Sequence, residues 1–228
     1  AQTVPPCTLE ITDAETFARD WTVIDVNSNV SANTWAYNDG NAMYTQDKSN
    51  AADDWLIAPA VTLEAGKAYK VSAYVKHSST FGSDKQKIEL KIGTAPTVEG
   101  LTTRLVYDES FQSRLFVEKS GTFSPAESGV FYVGLRCYSG SYMGDLYFQK
   151  IVIEEAPVYP VQITDLSIVA GERGAMSATL SWTWPSSDHL GGALSNLLGA
   201  KIYRGTDLVA TLDTATVGGK AGWIDSSI

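Results

Sequence analysis

The side chains best suited to chemistry in this chain are oxygen donors and aromatic rings gathered in loops, rather than paired acids, bases and nucleophiles. Asp25-Val26-Asn27-Ser28-Asn29 sets oxygen-bearing side chains at alternate positions, Asp25, Asn27 and Asn29. A loop curling round a hard cation presents alternate residues to it, so this spacing suits calcium. Val30 stands where an EF-hand loop needs glycine, and Ala36 where it needs a bidentate glutamate. The competing reading is an Asx-rich turn that bonds its own backbone. Trp35 and Tyr37 follow, with Asn38, Asp39 and Asn41 beside them, and Tyr138-Ser139-Gly140-Ser141-Tyr142 makes a second aromatic-flanked loop. Sugars offer C–H faces that pack on aromatic rings, while amides and carboxylates bond their hydroxyls. Trp35, Tyr37, Asn38, Asp39, Tyr138 and Tyr142 are therefore the candidate ligand-binding residues. Against that, Trp35 also reads as a core residue and the tyrosines as ordinary loop residues. Trp55, Trp182 and Trp223 are expected in the core.

Catalytic constellations are missing from the sequence. It contains no G-x-S-x-G, H-E-x-x-H, phosphate-binding loop or C-x-x-C, the short strings that place a nucleophile, a metal or a phosphate. His77 and His189, the only histidines, fall in different halves of the chain. Glu89 and Glu118 are expected on exposed strand faces. Asp53 and Asp54 resemble a carboxylate pair, but neighbours on a strand point to opposite faces. The expectation is a chain with no catalysis of its own. Cys7 and Cys137 are the only cysteines; they read either as two thiols or as a bridge from the N-terminal segment to a core strand.

Strands must position these loops, because almost every segment has a period of two. Trp55-Leu56-Ile57 is an apolar run stopped by Pro59 and resumed at Val61 to Leu63. After a turn at Glu64-Ala65-Gly66-Lys67, Tyr69, Val71, Ala73 and Val75 alternate with Lys70, Ser72, Tyr74 and Lys76. That is a strand with one buried and one solvated face. Ile88, Leu90 and Ile92 repeat the pattern, as do Phe131, Val133, Leu135 and Cys137, and Leu146 to Ile153 is apolar enough for a central strand. Leu115 and Val117 read as a strand ending at a Ser120-Gly121 turn. The best helical candidate, Leu190 to Leu198, is interrupted by two glycines and reads as a loop or a single turn. Residues 1–155 thus amount to roughly eight to ten antiparallel strands, the number expected for a jelly roll. Pro157 and Pro160 make residues 156–160 a stiff linker. In 161–228, strands are expected at Val161 to Val169, Ala178 to Trp184, Ala200 to Arg204, Asp207 to Leu212 and Lys220 to Asp225. The fold class is all-β, a jelly-roll β-sandwich followed by a smaller β unit.

Two resemblances sharpen this. Leu180-Ser181-Trp182 with Pro185, Lys201-Ile202-Tyr203-Arg204-Gly205 and Trp223-Ile224-Asp225 resemble a fibronectin type III domain. That family needs about seven strands over roughly 90 residues, so the second unit is expected to be a C-terminally incomplete member. Trp21-Thr22-Val23-Ile24-Asp25, Trp35, Asp54-Trp55-Leu56-Ile57-Ala58-Pro59 and Tyr132-Val133-Gly134-Leu135-Arg136 followed by Leu146 to Ile153 resemble the cleaved-adhesin, or choice-of-anchor J, jelly roll of Bacteroidetes surface proteins. The resemblance implies an adhesive or carbohydrate-binding module, not an enzyme, with calcium bound in several members. A second calcium position, joining the first strand after its Phe to the closing strand, falls here on Ala18 and Gln149, which supply no carboxylate.

Composition narrows the partners. Twenty-six Asp and Glu against 17 Lys and Arg leave a net charge of −9, opposite to what nucleic acid or anionic lipid requires. No apolar run reaches the length of about eighteen residues needed for a membrane span. The eleven Tyr, six Trp and nineteen Gly suit an extracytoplasmic β protein. Ala1-Gln2-Thr3 is what either signal-peptide removal or a fragment boundary would leave. Asp213-Thr214-Ala215 matches the short O-glycosylation acceptor pattern of Bacteroidetes. The expected partner is a surface glycan or a host or extracellular protein. The alternatives are a structural spacer or an ancillary module of a larger secreted polysaccharide-degrading enzyme or protease.

Overall fold

The computed structural model describes residues 3–27, 33–79 and 81–227, and it divides into two compact units, Ala1–Ala156 and Pro157–Ile228. Among the described residues the first unit holds one helix, α1 (Ala14–Asp20), and twelve strands: β1 (Cys7–Glu10), β2 (Thr22–Asp25), β3 (Trp35–Asn38), β4 (Asn41–Tyr44), β5 (Asp54–Ile57), β6 (Val61–Leu63), β7 (Ala68–His77), β8 (Gln86–Gly93), β9 (Thr103–Phe111), β10 (Val117–Phe123), β11 (Gly129–Cys137) and β12 (Leu146–Ala156). One sheet runs β10-β7-β12-β4-β3, with β1 also on β12. The other runs β2-β5-β11-β8-β9, with β6 also on β11. Every strand pair is antiparallel, and from β7 onward the chain crosses between the sheets at every step except the β8-β9 hairpin, as in a jelly roll.

The period-two residues form the core. Tyr69, Val71, Ala73 and Val75 of β7, Ile88, Leu90 and Ile92 of β8, and Phe131, Val133, Leu135 and Cys137 of β11 are all buried in one cluster. Pro59 separates β5 from β6 without losing the ladder, because both pair along β11 and the Ala58 amide donates to Val133 O at 2.8 Å. β12 has ladder partners on both sides, which accounts for its apolar density. It continues through Glu154 and Glu155 to Ala156.

Several expectations need correction. Phe17 lies in α1, not in a first strand; Asp13 caps this helix by accepting from the Thr16 amide at 2.7 Å. A helix of this length is too short to show a repeating period. β10 does not turn at Ser120-Gly121: it runs to Phe123, with Gly121 opposite Val71. Cys7 and Cys137 are free thiols on strands of opposite sheets, and burial pushes Cys137 up to about 12.

The second unit contains β13 (Ser167–Ala170), β14 (Ala178–Thr183), β15 (Ala200–Arg204), β16 (Asp207–Leu212) and β17 (Lys220–Asp225). β13-β14-β17 form one sheet and β15-β16 another. The hairpin turns at Gly205-Thr206, as its sequence implies. The Val161 to Val169 strand is confined to Ser167 onward. Trp182 and Trp184 are buried edge to face, their centroids 5.3 Å apart, whereas Trp223 is half-buried.

Candidate functional site

The loop from β11 to β12 is anchored to the segments around it at several points. Its base rests on Gln86, buried at the start of β8. The Gln86 amide nitrogen donates to Met143 O at 3.1 Å and to Gly144 O at 2.6 Å. The amide oxygen accepts from the hydroxyl of Ser139 and the thiol of Cys137. His77, equally buried at the end of β7, donates from Nε2 to Met143 O at 2.5 Å; a carbonyl only accepts, so the Nε2–H tautomer is the one present. Gly144 has φ +84°, and a Cβ there would lie 2.6 Å from His77 Nε2, so the loop reaches these donors only because this residue is glycine. Gln46 closes the other side, accepting from the Gly144 amide at 2.7 Å while its own amide donates to Asp145 Oδ1 at 3.0 Å.

Above this base Tyr142 is held outward. Its φ is +60°, its amide donates to Asp47 O at 2.7 Å, and it is 59% exposed. Gln46, Ser78, Ser79, Phe81, Asp84, Tyr142 and Gly144 line a cleft of about 260 Å³. Phe81 is 69% exposed. Ser79 donates its hydroxyl to Asp84 and accepts from the Phe81 amide, and the Gln112 side chain donates to Phe81 O and Asp84 O. The arrangement is two solvent-facing rings around amide, hydroxyl and carboxylate groups.

Of the residues expected to bind a ligand, only Tyr142 lies in this cleft. Trp35 is buried at 2% exposure, edge-on to Tyr44 and donating its indole N–H to Asp54 O at 3.2 Å; the stacking role proposed for it is corrected, because no face of the ring is open. Tyr37 packs partly on the core. Asn38 opposes Asn41 across a two-residue turn in which Asp39 and Gly40 both have positive φ. That is hairpin chemistry, and it explains Asp39 without a ligand. Tyr138 stacks on Tyr107, centroids 6.1 Å apart, in the sheet that contains β11. Phe81 was missed in the sequence, although a large apolar residue inside a Ser- and Gly-rich loop was a usable signal.

The proposed cation site changes composition. Asn29 lies outside the described residues. Asn27 donates its amide to Ala51 O at 2.6 Å. Asp25 pairs across β2 and β5 with Asp54, a residue the spacing did not include. Asp25 Oδ1, Asp54 Oδ1 and Thr34 Oγ1 are all shielded from water without a hydrogen-bond partner. Burial, aided by the Asp25 charge, pushes the Asp54 carboxyl up to about 6. Orphaned oxygens of this type are the donors a hard cation takes. Among the described residues no group of three His, Cys, Asp or Glu side chains could hold a metal.

Glu89 corrects a further expectation. It is 1% exposed, because Arg104, Arg136 and Lys91 close over it at 2.6, 3.4 and 3.8 Å. Glu118 is on the surface, paired with Lys70. Asp53 and Asp54 diverge as strand neighbours must: Asp53 takes both ends of the Arg136 fork, at 2.7 and 2.9 Å, and Asp54 turns inward.

No protein-family model matches the chain, and no curated protein does. Among solved structures it is similar to the K3 cleaved adhesin domain of Lys-gingipain from Porphyromonas gingivalis W83, at 11% identity over 64% of this chain and 97% of that one, with a TM-score of 0.49. The K1 cleaved adhesin domain of the same protein matches at 15% identity over 66% and 99%, TM-score 0.47. The CBM22-1–GH10 modules of xylanase 10B from Clostridium thermocellum, complexed with xylohexaose, match at 15% identity over 66% and 28%, TM-score 0.42. Two of these three are cleaved adhesin domains, the family that the sequence strings resemble. None of these three speaks to the fibronectin type III resemblance.

Proposed function

We infer that the first unit is a non-catalytic binding module of an extracytoplasmic protein, taking a glycan in the cleft between Tyr142 and Phe81. The observation that carries this is the pair of exposed rings bordering Gln46, Ser78, Ser79 and Asp84. Exposed aromatics beside hydrogen-bonding side chains suit a sugar, whose ring faces are apolar and whose edges are hydroxyls. The buried amide and imidazole beneath the loop set Tyr142 before any ligand arrives, so little ordering cost remains at binding. Among the described residues no helix is long and apolar enough to cross a membrane.

The test is a glycan panel titrated into the whole chain by calorimetry or NMR. Tyr142→Ala and Phe81→Ala should each weaken any neutral-glycan binding by about tenfold or more, on the scale of an aromatic stacking contact. Unchanged affinity in both variants would remove the cleft from the proposal, and silence across the panel would favour a spacer.

A structural cation is the second reading. Asp25, Asp54 and Thr34 would hold it, and the orphaned, buried state of their oxygens favours it. When bound, calcium would supply positive charge to two carboxylates that otherwise repel, joining β2 to β5. The residues here act by strand-to-strand anchoring, outside the cleft.

A further inference from the structure

We propose that the outer face of the β2-β5-β11-β8-β9 sheet carries a second site, for a carboxylated sugar, built on Arg104, Tyr107 and Tyr138. The strand register sets one continuous row across that sheet: Ile24, Trp55, Arg136, Glu89 and Tyr107 are successive cross-strand partners. Such partners share a face. A carboxylate in the middle of that row, buried to 1% exposure, costs several kcal/mol in desolvation unless it is paired. It is paired, and the pairing has an outward consequence. Glu89 grips Arg104 through Nε at 2.6 Å, so the guanidinium is fixed by its inner edge. Its two terminal amino groups donate no hydrogen bond to any described residue, and the side chain is 55% exposed.

The neighbouring acids do not compete for that edge. Asp53 is held by Arg136, Glu109 by Lys87 and Asp108 by Lys119. Arg104 lies 4.6 Å from the centroid of Tyr107, and Tyr107, 50% exposed, stacks on Tyr138. Arg136 approaches the Tyr138 ring at 5.0 Å. The Tyr138 hydroxyl is shielded from water and turned toward Tyr107. The surface therefore offers a pre-oriented guanidinium edge beside the half of Tyr107 that stays exposed between Arg104 and Tyr138. A planar fork with two free amino groups matches a carboxylate, and the exposed rim of the Tyr107 ring beside it matches the apolar C–H patches of a pyranose. Both features together select a sugar acid, either a hexuronate or a sialic acid. This site stands apart from the Tyr142 cleft, since no residue is common to the two.

The experiment titrates the whole chain with trigalacturonate and with sialyllactose, each against its neutral methyl ester, by calorimetry at low salt. One of the two acids should bind at least tenfold more tightly than its ester. Arg104→Gln should abolish that preference, Arg104→Lys should restore little of it, and Tyr107→Ala should weaken the acid at least tenfold. Tyr142→Ala should leave it unchanged, which separates this site from the cleft. Arg104→Gln takes one of three cations from the buried Glu89 and should lower the melting temperature, whereas Arg104→Lys and Tyr107→Ala should keep it within a few degrees, so those two check that lost binding is not lost folding. The proposal is overturned if neither acid outbinds its ester, if Arg104→Gln keeps the preference, or if triglutamate binds as tightly as the sugar acid.

Discussion

Replacing Asp54 by asparagine should stabilise the metal-free protein at neutral pH. Asp54 is fully buried, and its carboxyl titrates at about 6 rather than its ordinary 3.8. Each tenfold change in acidity between folded and unfolded chain is about 1.4 kcal/mol, so ionising this group inside the fold costs up to about 3 kcal/mol at pH 7. The folded chain holds the proton more tightly, so stability falls as pH rises from about 4 to about 6 and levels off above. The amide of Asp54→Asn carries no charge and so escapes both the burial cost and the repulsion from Asp25 that raise the wild-type carboxyl. For a unit of this size each kcal/mol moves the melting temperature by about 2–4 °C. Thermal scans in chelator should therefore show the variant ahead by several degrees at pH 7.5 and level with wild type near pH 4. Saturating calcium should raise the wild type and leave the variant unmoved, since only binding to the folded state stabilises. A variant less stable than wild type at pH 7.5 in chelator, or an advantage independent of pH, would refute the reasoning about Asp54. An equal calcium response in both proteins would refute the cation reading alone.

Further outcomes follow from the loop anchors. Gln86→Leu leaves Gly144 O without its side-chain donor and the Ser139 hydroxyl without its acceptor, while Met143 O keeps only His77; it should cost about 2–4 kcal/mol in denaturant titration, the range for breaking a buried polar network, and should weaken neutral-glycan binding without touching the cleft. Gly144→Ala, with a methyl 2.6 Å from His77 Nε2, should show the same coupled loss, read by amide exchange of Ser139 to Asp145. Tyr37→Ala should leave glycan affinity within twofold of wild type, because Tyr37 lies outside the cleft; a tenfold loss would move the site to the β3-β4 hairpin. Trp35→Phe, which removes the donor to Asp54 O but keeps an aromatic core, should cost about 1–2 kcal/mol in the same titration.

The residues that form strands, and which of their faces enter the core, were legible because both depend on a local period of two. Tyr69 to Val75, Ile88 to Ile92 and Phe131 to Cys137 needed no knowledge of their neighbours, and the Gly205-Thr206 hairpin was announced by its own turn residues. The resemblance to cleaved adhesins likewise rested on short strings in a fixed order. Sites are another matter, because a site joins residues that are distant in the chain. Asp25 meets Asp54 only through the register of β2 on β5. Tyr142 gains Phe81, Ser78 and Asp84 only because β7, β8 and the β11-β12 loop end together. Glu89 reads as a solvated acid on β8 alone, and becomes a buried one when β9 and β11 bring two guanidiniums over it. Trp35, a plausible platform by sequence, is closed off by Tyr44 and by the backbone of Asp54. Sequence by itself determined the periodicity and therefore the sandwich. Only the tertiary structure decided which charges lose their water and which rings keep theirs, since desolvation is a property of the assembled neighbours and not of any residue alone.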